Sequence, residues 1–178
     1  MRIVVLSGSP RRGGNTAIMV NAFKEGAESA GREVEVVNVG AMNLKGCHGC
    51  QYCFTHEGAC AINDEMTGVR EALKTADMLV LASPIYWFDI SSQLKTAIDR
   101  LYAFAGVPGG FPFNKVAMLL DSGADGVYTA AKAFYKDMNA YLNWEDQGVI
   151  TIGGMNGKGD MANNPKLEEV RAFGASLR

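Results

Sequence analysis

The sequence predicts a single α/β domain: a doubly wound, five-stranded parallel sheet in the order 2-1-3-4-5, with helices on both faces. Three observations lead there. The 178 residues suffice for one substantial core and are few for two ordinary domains. Short β-branched runs alternate with longer amphipathic stretches, the pattern of repeated βαβ units. The first run, Ile3-Val4-Val5-Leu6, is apolar without alternation, as suits a strand covered on both faces.

Each element follows in turn. A first strand is expected over 2–7, then a glycine-rich loop over 8–14 and a helix over 15–30. In that helix Ile18, Val20, Ala22, Phe23 and Ala27 lean to one side at helical spacing. Gly31 closes it, and alternation marks a second strand over 33–39. Residues 40–63 break the rhythm and hold all four cysteines, so a cysteine-rich loop is expected as an insertion at about 44–63. Asp64 suits the N-cap of a helix running to 74 or 75. A third strand over 78–83, a helix over 90–105, a fourth strand over 115–121 and a helix over 127–143 come next. A fifth strand over 147–152 and a closing helix over 165–177 complete one domain spanning 1–178. The glycines of 153–159 lie between strand and helix, which makes them a loop at the sheet edge rather than a linker.

Composition narrows the function. Seventeen Lys and Arg against nineteen Asp and Glu leave a net charge of −2, without the concentrated basic surface that nucleic acid needs. No stretch approaches the roughly 18 consecutive apolar residues of a membrane span. The four-residue apolar run near the start is far shorter than a signal-peptide core. These features predict a cytoplasmic protein with neither nucleic-acid nor membrane partner. In that compartment its cysteines are thiols, metal ligands or redox groups before they are disulfides.

Two loops carry chemistry. Gly8-Ser9-Pro10-Arg11-Arg12-Gly13-Gly14-Asn15-Thr16 joins a buried strand to a helix, where backbone N–H groups and the helix dipole converge on an anion. Ser9, Asn15 and Thr16 can donate to phosphate oxygens, and an Arg can neutralise charge. Gly14 and Asn15 stand where a nucleoside-triphosphate loop needs Lys and Ser or Thr, and no G-x-G-x-x-G is present, so a phosphomonoester fits better. A capped turn without ligand is the plain alternative. After the third strand, Ser83-Pro84-Ile85-Tyr86-Trp87-Phe88 sets three aromatics in a row, which suits a flat, partly exposed slot. Ordinary amphipathic packing is the alternative for each of them singly.

The cysteines form Cys47-x-x-Cys50-x-x-Cys53-x6-Cys60. Structural zinc usually draws two C-x-x-C knuckles from separated segments, whereas three cysteines in seven residues wrap better around a cubane. Four thiolates are what a 4Fe–4S cluster requires. A thiol loop that only packs near the cofactor or at a subunit contact stays open beside it. His48 and His56 are read as ordinary loop residues.

Together with Leu94-Lys95-x-x-Ile98-Asp99-Arg100, the two loops resemble the NAD(P)H-dependent FMN reductases and iron–sulfur flavoproteins of the flavodoxin-like superfamily, closely to about residue 100 and loosely beyond. The resemblance implies FMN with its phosphate at Ser9, Arg11, Asn15 and Thr16 and its ring along Pro84, Ile85, Tyr86, Trp87 and Phe88. A third loop, Asp121-Ser122-Gly123-Ala124, would close over the ring through Ser122 and Gly123. It implies NAD(P)H as a transient substrate and a quinone, flavin or metal complex as acceptor, with no catalytic side chain needed because the cofactor does the chemistry. Cys47, Cys50, Cys53 and Cys60 are the expected cluster ligands of an electron carrier fed by a protein donor. A redox-sensing FMN module without turnover is a third reading. A homodimer or homotetramer is expected, as in many relatives.

Overall fold

A computed structural model describes residues 1–178. Its first strand, β1 (Arg2–Ser7), is buried along nearly its whole length, and Gly14 leads into α1 (Asn15–Ser29). Strand β2 (Glu33–Val37) is followed by a 3-10 turn over Val39–Ala41, two residues short of the strand end expected from alternation. Next come the four-residue α2 (Tyr52–Thr55) and α3 (Met66–Leu73). Strand β3 (Met78–Tyr86) leads into a two-residue β4 (Asp89–Ile90), then α4 (Ser92–Arg100) and α5 (Tyr102–Ala105). The chain ends with β5 (Lys115–Asp121), α6 (Thr129–Leu142), β6 (Glu145–Ile152), a 3-10 turn over Asp160–Asn163 and α7 (Leu167–Ser176).

The parallel sheet runs β2-β1-β3-β5-β6, and β4 pairs antiparallel with β3 off its edge. The expectation of five strands in the order 2-1-3-4-5 therefore needs correcting. A sixth strand intervenes, so the fourth and fifth parallel strands are β5 and β6. The extra strand escapes sequence reading because two residues cannot show alternation. It also shortens the helix expected over 90–105, since Asp89 and Ile90 pair with Tyr86 and Ile85. Strand β6 begins earlier than 147. A bulge between its pairings Val116↔Asp146 and Met118↔Val149 inserts a residue and breaks the pattern there.

Strand alternation splits the interior into two layers. Val4, Leu6, Leu79, Leu81, Val116, Met118 and Leu120 face α3 to α6, whereas Ile3, Val5, Met78, Val80, Ala117 and Leu119 face α1 and α7. On that side of the sheet α1 and α7 approach each other closely at glycines. A Cβ on Gly26 would overlap the Arg171 carbonyl, and one on Gly174 would overlap the Phe23 carbonyl. With the central strands buried on both faces, ligand access is left to the carboxyl ends of β1, β3 and β5, where the strand order reverses.

Candidate functional site

At those strand ends a polar cleft is lined by Ser9, Arg11, Asn15, Thr16, Pro84, Ile85, Tyr86, Asp121, Ser122, Gly123 and Met155. The sheet thus brings together all but two of the residues expected to hold a phosphomonoester and a ring. Trp87 and Phe88 stand apart at the tip of the β3–β4 hairpin, 93% and 62% exposed.

One wall is the start of α1. Its first helical N–H bond runs from Ile18 to the Gly14 carbonyl, which leaves the N–H groups of Asn15, Thr16 and Ala17 without acceptors. Gly14 supplies no side-chain cap, and the first turn carries no acidic residue. Such an end favours an anion. Arg11 and Arg12 in the preceding loop form no ion pair.

The side chains divide the work differently from the expectation. Asn15 is turned inward: its Nδ2 donates to the Gly157 carbonyl at 2.8 Å, and its Oδ1 accepts from the N–H groups of Gly159 and Met161 at 2.9 and 3.2 Å. Thr16 Oγ1 donates to Asp121 Oδ1 at 2.5 Å. What these two residues present to an anion is backbone N–H. Ser9 Oγ accepts from the Arg11 N–H at 3.3 Å, so the Ser9 hydroxyl proton is left to donate into the cleft. Ser122 is likewise committed, sharing a 2.5 Å hydrogen bond with Tyr128 Oη and donating to the Ala124 carbonyl at 2.6 Å.

The opposite wall is the end of β3. Trp87 and Phe88 form a two-residue turn with φ of 47° and 72°. This is the left-handed conformation of a tight hairpin, usually given to Asn-Gly. Ser91, absent from the sequence prediction, joins the walls: it caps α4 by accepting from the Leu94 N–H at 3.3 Å and donates to the Gly8 carbonyl at 2.7 Å. Gly8 has to be glycine, since a Cβ would lie 2.5 Å from Leu94 Cβ. A serine three residues before an apolar helical position was the available signal for this cap.

Asp121, expected only as the start of the third loop, lines the cleft as well. It is buried, and burial pushes its carboxyl up to about 6, against the pull of the Thr16 hydrogen bond and the Arg11 charge. Met155 reaches the cleft from the loop after β6; generic loop sequence gives no signal for it.

The cysteine loop lies elsewhere and is held at its base. Arg100, 3% exposed, donates to both Asp64 carboxylate oxygens at 2.9 and 3.0 Å and to the Lys45 carbonyl at 2.8 Å. Asp64 accepts in turn from the Lys45 N–H at 2.9 Å. Burial alone would raise the Asp64 carboxyl, but the hydrogen bonds from Arg100, Lys45 and Met66 hold it below the usual carboxylate range. The expected N-cap does accept from Met66, yet its chief partner is Arg100. Cys47 and Cys50 are exposed, Cys53 and Cys60 half-buried, and all four are free. No three His, Cys, Asp or Glu side chains come close enough to share a metal ion. As placed, the four thiols do not fit a cluster.

Residues 1–152 match the profile of the family described as NADPH-dependent FMN reductase. The chain belongs to the NADPH-dependent FMN reductase family. The cleft lies where the strand ends of this fold converge. An iron–sulfur flavoprotein from Methanosarcina thermophila is 33% identical over 171 residues, 96% of this chain and 86% of that protein. One from Archaeoglobus fulgidus is 34% identical over 108 residues, but the match spans only 49% of its length. Among solved structures, an NAD(P)H:quinone oxidoreductase from Methanothermobacter marburgensis superposes with a TM-score of 0.80 over 100% of this chain and 96% of that one, at 21% identity. That likeness is one of fold. No helix of this family member is long and apolar enough to cross a membrane.

Proposed function

We propose that the chain binds FMN in the cleft at the ends of β1, β3 and β5 and passes electrons from NAD(P)H to a small acceptor such as a quinone, a free flavin or a metal complex. The observation that carries this reading is the uncapped start of α1 with three unpartnered N–H groups beside an unpaired Arg11, facing the aromatic end of β3 across one cleft. In it, the backbone of Asn15 and Thr16 holds the phosphate with Ser9 Oγ and Arg11. Pro84, Ile85 and Tyr86 support one side of the ring, Trp87 and Phe88 extend that platform outward, and Ser122 and Gly123 close the far edge. When bound, FMN supplies hydride acceptance and electron donation. The chain's own part is to bind, orient and exclude water, and no side chain is needed as acid or base.

The test is the visible spectrum of the anaerobically purified protein before and after NADH or NADPH. Flavin bands that bleach with either nucleotide are expected. A colourless protein that takes up no added FMN overturns the reading. Light scattering is expected to report a homodimer or homotetramer, and the free thiols suit a reducing cytoplasm.

A second reading, an iron–sulfur electron carrier fed by a protein donor, is favoured by the Cys47, Cys50, Cys53 and Cys60 spacing and by the names of the relatives. It requires the loop to rearrange from the arrangement described above. Iron and acid-labile sulfide near zero after anaerobic reconstitution would sink it. Flavin bands that ignore both nucleotides yet bleach with dithionite would favour it.

A further inference from the structure

We propose that Asp121 makes phosphate binding in this cleft proton-linked: one proton is taken up as a phosphomonoester dianion enters, and it resides on the Asp121 carboxyl. The inference rests on reading the cleft as a phosphate site.

Asp121 ends β5 at 5% exposure, with Thr16 Oγ1 as its one side-chain hydrogen-bond partner and no cation within ion-pairing distance. It lines the same cleft as Ser9, Arg11 and the first turn of α1. The ionisable groups around it are few. Arg11 approaches from the β1–α1 loop, Tyr86 from the end of β3, and Asp125 and Tyr128 from the segment after β5. In the loop after β6, the Asp160 carboxylate is occupied by the Gly157 N–H at 2.6 Å.

Arg11, the one cation lining the cleft, and the α1 dipole can answer one anion. A carboxylate and a phosphate dianion in the same half-buried cleft repel each other strongly because little water screens them. Protonating Asp121 removes that repulsion at no cost in hydrogen bonds. One oxygen still accepts from Thr16, and the other gains an O–H that can donate. Burial has already brought the carboxyl up to about 6, and an approaching dianion pushes it further, past neutrality. The step balances as carboxylate plus proton plus dianion giving carboxylic acid beside dianion. The proton comes from buffer, and nothing is oxidised or reduced.

The consequence is an FMN affinity that falls by up to about tenfold per pH unit above 6, until the pH passes the carboxyl's value in the complex. Calorimetric titration of the full chain with FMN at neutral pH, in two buffers of different ionisation enthalpy, counts the protons taken up. Wild type is expected to take up close to one proton more than Asp121→Asn, which should also bind FMN more tightly. The second ionisation of the phosphate, near about 6, contributes equally to both proteins and cancels. Riboflavin, which lacks the phosphate, should show no difference between them.

Equal proton uptake by wild type and Asp121→Asn, both binding FMN, overturns the proposal and leaves the cofactor reading intact. If the wild type binds no FMN, both fall together. Should the variant not fold, infrared difference spectra of the wild type decide. A protonated-carboxyl band appearing with FMN supports the proposal, and its absence overturns it.

Discussion

Asp121 and Asp64 are both buried carboxyls, yet their partners set opposite responses to pH. Asp121 has a hydroxyl partner and a raised value of about 6. The folded state therefore binds the extra proton between about 4 and 6, and stability falls as pH rises through that window. Asp121→Asn is expected to stabilise the protein by about 3 kcal/mol at neutral pH and by nothing at pH 4, read from urea midpoints at the two pH values. Asp64 has a guanidinium, and its value is depressed. Its contribution is complete above the unfolded value and disappears as pH falls through the folded one. Arg100→Met leaves that carboxylate without its counter-ion, held only by the Lys45 and Met66 N–H groups, and should cost about 3 kcal/mol by the same measurement. Local sequence disclosed Ser9 and Arg11 as cleft residues because a βα loop of glycines and cations is a local pattern. It could not disclose that the Asn15 side chain is spent on Gly157, Gly159 and Met161, partners more than 140 residues away. Nor does an Asp closing the run Val116–Leu120 announce that it is buried.

Among the elements, the β3–β4 hairpin shows where sequence reading stops. Pro84 to Phe88 read as a loop because Trp-Phe carries none of the Asn-Gly chemistry that marks a tight turn, yet the chain turns there on two left-handed residues. Two bulky aromatics at positive φ cost about 1–2 kcal/mol each. Replacing them by Trp87→Asn with Phe88→Gly is expected to raise stability by roughly 2 kcal/mol and to weaken FMN binding, by thermal melting and flavin fluorescence respectively. A variant both less stable and unchanged in FMN affinity would contradict the role given to the turn. Helices were easier to read than their ends. The apolar spacing located α1, while the start of α4, two residues later than expected, is set by the Ser91 cap, which also makes a tertiary contact with Gly8.

At the scale of the molecule, the alternation of strand and helix was enough to predict the parallel topology, because a buried central strand has few other places to go. The close crossing of α1 and α7 was not visible: glycines at 26 and 174 mean little until the two helices are seen to touch there. Gly174→Val forces a branched side chain against the Phe23 carbonyl and is expected to cost about 3 kcal/mol, with a parallel loss of FMN affinity as α1 shifts. Denaturant titration with and without FMN checks both. This crossing, together with the hold of Asn15 on Gly157, Gly159 and Met161, means that α1 is braced at its first turn by the segment after β6 and further along by α7. A chain nicked between the 3-10 turn and α7 keeps every residue of the cleft yet loosens the brace on α1, so protease sensitivity in that segment and flavin affinity are expected to move together.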